Sequence, residues 1–97
     1  MRIINAESVA KCLPYSDLIE KLRVAFTQDT CAPERTNHTI KNTQDSAASL
    51  LLMPAWKQEE SIGIKIVSVF PENTANNLSA VHANYILMSA KDGIPKA

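Results

Sequence analysis

The chain has 97 residues, 45% of them apolar, which suits one small domain with one core and excludes a second large one. Ten basic and ten acidic side chains cancel and the bases nowhere cluster, so the electrostatic footprint of a nucleic-acid or anionic-membrane partner is missing. No apolar run approaches the roughly 18 residues of a membrane span, nothing at the N-terminus reads as a leader, and Cys12 and Cys31, far from any CxxC spacing, read as reduced thiols of a soluble, cytoplasmic chain.

In chain order, Asn5 is placed to cap a helix over AESVAKCL, and Pro14 interrupts that helix and restarts it as YSDLIEKLRVAFTQD. Leu18, Ile19, Leu22, Ala25 and Phe26 recur at helical spacing and predict one buried face. Asp17, Glu20, Lys21 and Arg23 make the solvated one. A polar stretch headed by Pro33 follows, in which Arg35 to Ile40 reads as a strand and residues 42–46, Asn-Thr-Gln-Asp-Ser, as the turn behind it. Ser49 to Met53 is a short apolar strand closed by Pro54, with a further turn from Trp56 to Ser61.

The next strand carries a lysine in an otherwise apolar run. Side chains alternate across a strand, so Ile62, Ile64 and Ile66 share one face while Gly63, Lys65, Val67 and Val69 share the other. Both faces look buried, and an ammonium buried without a partner is costly or forced neutral. Lys65 must therefore sit at the strand's mouth, pair with a carboxylate, or face a cleft that receives an anion. The polar loop PENTANNLSA leads to a long strand, VHANYILMSA, with Val81, Ala83, Tyr85 and Leu87 on one face. Lys91-Asp92-Gly93 then signals a hairpin, whose second arm, IPKA, stops four residues after the turn; this is an internal sign of truncation.

Taken in order, Pro33-Glu34-Arg35, Leu52-Met53-Pro54-Ala55-Trp56, Gly63-Ile64-Lys65, Pro71-Glu72-Asn73-Thr74 and Asp92-Gly93-Ile94-Pro95 resemble the N-terminal part of the ornithine cyclodeaminase and mu-crystallin family. The resemblance implies an α+β fold, two N-terminal helices packed on a mostly antiparallel sheet. Residues 1–97 would then form a truncated substrate-binding and dimerisation domain without its Rossmann partner. It further implies a homodimeric enzyme that uses NAD or NADP. Such an enzyme acts on a small amino or cyclic imino acid, by ornithine cyclisation with loss of ammonia or by reduction of ketimines such as pyrroline-2-carboxylate. In that pattern Arg35 grips the substrate carboxylate, and Lys65 completes the anionic pocket and helps polarise the reacting group. Met53 is a pocket wall, and Asn73 and Thr74 lie near the cofactor cleft. A guanidinium fork and a compact ammonium suit that task, since together they fix both the charge and the orientation of a carboxylate.

Gly63 and Gly93 are the only glycines, so no glycine-rich loop can take a pyrophosphate. This segment alone should bind no cofactor and show no activity. Ala80 departs from the threonine that cofactor-using members often carry on that strand. Isolated His38 and His82 suggest no metal, Cys12 reads as a small buried hydrophobe, and Met53 and Trp56 suit core or interface as well as pocket. The alternative is a non-catalytic oligomerisation or small-molecule-binding module.

Overall fold

Asn5 does cap the first helix, α1 (Ala6–Cys12): in the computed structural model, which describes residues 1–41 and 47–97, its Oδ1 accepts the Ser8 amide at 2.9 Å. The turn expected over residues 42–46 lies outside the described residues. Pro14 has no amide hydrogen to continue α1. The second helix, α2 (Tyr15–Ala25), starts behind it, with the Leu18 N–H donating to the Pro14 carbonyl.

The apolar face of α2 is not buried as its spacing predicts. Leu18 is half-buried, but Ile19 and Leu22 are 54% and 45% exposed and Phe26 is 87% exposed. Cys12, expected inside, is also exposed, as is Cys31, and both are free thiols. The spacing makes a one-sided stripe correctly, yet the described residues leave much of it uncovered.

Four strands follow: β1 (Thr36–Lys41), β2 (Ala47–Lys57), β3 (Ser61–Val69) and β4 (Val81–Ser89), in that order and all antiparallel. The chain is thus α+β, two helices and then a sheet. β2 does not end at Pro54 but runs through it. The Trp56 amide and carbonyl both bond Cys31, on the β1 side of β2. Pro54, two residues earlier, turns its nitrogen the same way, into the gap between Cys31 and the start of β1 at Thr36. A missing N–H costs nothing there.

The β2–β3 hairpin turns with Glu59 in the left-handed region, at φ 63°. The Lys57 ammonium, paired to Glu60, spans its base. Beyond β3 the polar loop forms a 3-10 turn, Pro71–Asn76, closed by Asn77 at φ 57°. After β4, Gly93 takes φ +75° and residues 94–97 return along β4 as the expected hairpin arm. Ser89 N–H donates to Ile94 O at 2.9 Å, and Lys96 N–H to Leu87 O at 2.8 Å.

Ala48 and Val67 are the only buried apolar residues among those described. The accessible surface is 7929 Å², against about 5,500 Å² for a compact monomer of this mass. The radius of gyration is 16.2 Å, against about 12.5 Å for a compact chain of this length. Surface remains uncovered on the helix stripe. It also remains on the sheet face that carries Leu50, Leu52, Ile62, Ile64, Ile66, Ile86 and Met88, all only partly buried or half-exposed.

Candidate functional site

Register decides what meets Lys65. Lys65 pairs with Met53 on β2 and with Tyr85 on β4, and all three side chains leave the sheet on one face. On β1, Thr36 pairs with Leu52. Arg35 directly precedes Thr36, just outside the strand, and so stands at the β1 edge beside Met53. Met53, Lys65 and Tyr85 thus form a row across the sheet, with Arg35 at its β1 end. At strand spacings of nearly 5 Å, the Arg35 and Lys65 backbones stand about 10 Å apart with Met53 between them. Two long cationic side chains across that gap can close on one small anion above the methionine.

The expectation that Lys65 points into a buried face is corrected here. Its neighbours Gly63 and Val67 are buried, whereas Lys65 is exposed and Met53 half-buried. The row therefore opens to solvent. Among the described ion pairs, which join Lys11 to Glu7, Arg23 to Glu20 and Lys57 to Glu60, none involves Arg35 or Lys65. Among the described residues, neither cation has an ionic partner.

Tyr85 was not legible as a neighbour of Lys65. Its face on β4 follows from alternation, but only the β3–β4 register puts it opposite the lysine. The phenol leans along the strand and lies over Gly63: a Cβ built on Gly63 would overlap the hydroxyl oxygen and sit 2.6 Å from Cζ. Gly63 is therefore required by the close approach of a ring, not by its backbone angles. Beside the ring lies a cavity of about 200 Å³, bordered by Gly63, Ala55 and Tyr85 and by Ala25 at the end of α2 and Gln28 just after it.

Asn73 and Thr74 are not brought into this row. They lie past the end of β3, where Asn73 Nδ2 donates to Ser79 O at 3.0 Å and Thr74 Oγ1 to Pro71 O at 3.0 Å. Those bonds hold the loop's own backbone. Val69, the last residue of β3, already stands four residues, about 13 Å, from Lys65. Gly63 lies mid-strand and Gly93 in a hairpin turn, so neither opens a helix that could receive a pyrophosphate. No group of three His, Cys, Asp or Glu able to hold a metal occurs among the described residues.

Fold and row together define an α+β module with Lys65 on one open sheet face and Arg35 at the edge beside it, neither paired among the described residues. Residues 2–97 match the ornithine cyclodeaminase/mu-crystallin family, and the chain belongs to it. Protein SAR DEFICIENT 4 of Arabidopsis thaliana is 35% identical over 93% of this chain and 28% of its own length. Delta(1)-pyrroline-2-carboxylate reductase of Colwellia psychrerythraea is 30% identical over all of this chain and 31% of its own length. Thermococcus litoralis Delta(1)-pyrroline-2-carboxylate reductase, solved in complex with NADH and L-proline, superposes at a TM-score of 0.67 with 30% identity, over 84% of this chain and 26% of that one. The chain thus spans under a third of the length of the curated relatives it matches.

Proposed function

We propose that residues 1–97 are the substrate-binding and dimerisation part of an NAD(P)-dependent enzyme acting on an amino or cyclic imino acid. The reactions in view are reduction of pyrroline-2-carboxylate or a related ketimine, and cyclodeamination of ornithine. The observation that carries this reading is Lys65 beside Met53 on one open face with Arg35 at its β1 edge, both cations without an ionic partner among the described residues.

In this reading the Arg35 guanidinium takes the carboxylate through two parallel N–H donors. Lys65 adds a point charge from the other side and polarises the reacting amino or imino group. Met53 gives the floor an apolar surface that excludes water beneath the substrate. With the carboxylate fixed, the α-carbon is held in one orientation, the positioning that a bimolecular transfer gains most from. The nicotinamide, when bound, supplies or accepts the hydride. Neither glycine of this segment builds a pyrophosphate cradle, so the cofactor's main contacts fall to residues outside it. Asn73 and Thr74 are at most edge contacts through atoms their loop bonds leave over.

The dimer is assigned to the sheet face opposite the row. Its three isoleucines on β3 stay partly exposed, and the excess surface, about 2,400 Å² over a compact monomer, exceeds the roughly 800 Å² that each partner of a standard interface buries.

Arg35→Ala and Lys65→Ala, made in the protein at its natural length, test the site. Each removes a charge-assisted contact of about 1.5–3 kcal/mol, so kcat/KM for the imino acid should fall roughly 10- to 150-fold. Two variants with unchanged kcat/KM would sink the assignment.

A further inference from the structure

The row has a fourth member that the carboxylate grip does not use. Tyr85 faces Lys65 directly across the β3–β4 register, yet its ring leans away from the ammonium and over Gly63. The residue is 63% exposed, and its hydroxyl takes part in none of the described hydrogen bonds. Packing does not demand a tyrosine at this position, because an exposed strand residue needs no ring there. What the ring does is stand as a wall. Together with Leu87 it borders both the cavity beside Gly63 and Ala55 and the larger groove, about 860 Å³, between α1 and β4.

The smaller cavity adjoins the row through Tyr85, the one member of the row in its lining. The Ala55–Gly63 pair is the next same-face pair after Met53–Lys65, about 7 Å along the strands. Tyr85 itself fills the space directly over Gly63, and the cavity lies beside the ring, bordered also by Ala55 and Leu87. At about 200 Å³ it is smaller than the roughly 300–1,000 Å³ of pockets for drug-sized ligands, and it suits a ring of five or six atoms.

We infer that Tyr85 is the specificity-determining residue of this site: its phenol walls the Gly63–Ala55 cavity and limits the size of the ring carried by a carboxylate held at Arg35 and Lys65. The inference rests on the carboxylate grip just proposed. Opening the wall joins the cavity to the α1 groove, so a ring larger by one methylene gains room while the smaller ring loses a contact surface. Discrimination by one methylene in an apolar pocket runs from roughly 10- to 200-fold, and the lower end applies to a wall that is itself part-exposed.

The experiment uses the natural-length protein and two substrates, pyrroline-2-carboxylate and piperideine-2-carboxylate, with the Kd of L-proline and L-pipecolate as a readout free of turnover. Tyr85→Ala should move the six-to-five-ring ratio of kcat/KM, and of the two dissociation constants, about tenfold towards the six-membered ring. Tyr85→Phe keeps the wall and should keep the wild-type ratio. Arg35→Ala serves as the separate control: it should weaken both ligands by the same factor and leave the ratio alone. If Arg35→Ala weakens both but Tyr85→Ala leaves the ratio in place, the grip stands and the role of Tyr85 is overturned. If Arg35→Ala weakens neither, the grip itself fails and the inference falls with it.

Discussion

Gly63→Ala isolates the contact on which the row's geometry depends. The added Cβ would lie 2.6 Å from Tyr85 Cζ and 3.2 Å from Cε1, where ordinary contact starts at 3.4 Å, and it would overlap the hydroxyl. A strand backbone cannot move that far while paired on both sides, so the ring must swing. Forcing the side chain off its rotamer costs about 1 kcal/mol, and uncovering roughly 40 Å² of apolar surface at about 25 cal/mol/Å² costs about another 1 kcal/mol. Against this, alanine is favoured over glycine within a strand by about 0.5–1 kcal/mol. The single variant should therefore be about 1 kcal/mol less stable, a fall in Tm of about 4–8 °C for a domain this small. In a Tyr85→Ala background nothing meets the new methyl, and the same substitution should stabilise by about 0.5–1 kcal/mol. Urea denaturation of the four proteins of this cycle measures the coupling, expected at about 2 kcal/mol. Additive effects within about 0.5 kcal/mol would show that the ring does not rest on Gly63.

Glu59→Gly should raise Tm by about 4–8 °C, since a non-glycine residue at φ 63° carries about 1 kcal/mol or more of strain; an unchanged or lower Tm would contradict it. Asp92 gives a pH prediction. The Ser89 hydroxyl and the Ile94 amide hold its carboxyl below the usual aspartate value of 3.8. Because the folded-state pKa is depressed, its stabilisation is present above that value and lost as pH falls through the folded one. Asp92→Asn should therefore flatten the acid limb of the Tm–pH curve below about pH 4 while leaving neutral behaviour alone, and an unaltered limb would count against the bond. If the proposed dimer forms through the face opposite the row, Ile64→Glu should convert it to monomer in sedimentation velocity by placing a charge in an apolar contact. A dimer that persists would move the interface elsewhere.

Much of the fold was legible from the chain alone because the signals were local. The Asn5 cap, the break at Pro14, the two faces of the Lys65 strand and the Asp-Gly hairpin each depend on residues a few positions apart. Pro54 misled because a proline closes a strand only when its nitrogen faces a partner. That condition depends on where Cys31 and Thr36 sit across β2, and no neighbouring residue carries it. The helix stripe misled in the opposite way, since spacing states which face is apolar but not whether anything arrives to cover it.

The candidate site divides along the same line. Lys65 stood out in the sequence because a lone cation in an apolar strand is costly, and Arg35 and Met53 entered through their likeness to a family pattern. That they share a row, that Lys65 is open to solvent, and that Tyr85 completes the row over Gly63 were decided by strand register. Register sums the pairing of three hairpins and the path of every turn between them. A shift of one residue in any of them would send each side chain of that strand to the other face. The sequence by itself determined the elements, their faces and the charges they carry. Only the tertiary structure decided which faces meet, because that depends on pairs such as Met53 with Lys65 and Lys65 with Tyr85, which stand apart in the chain and are joined only by register.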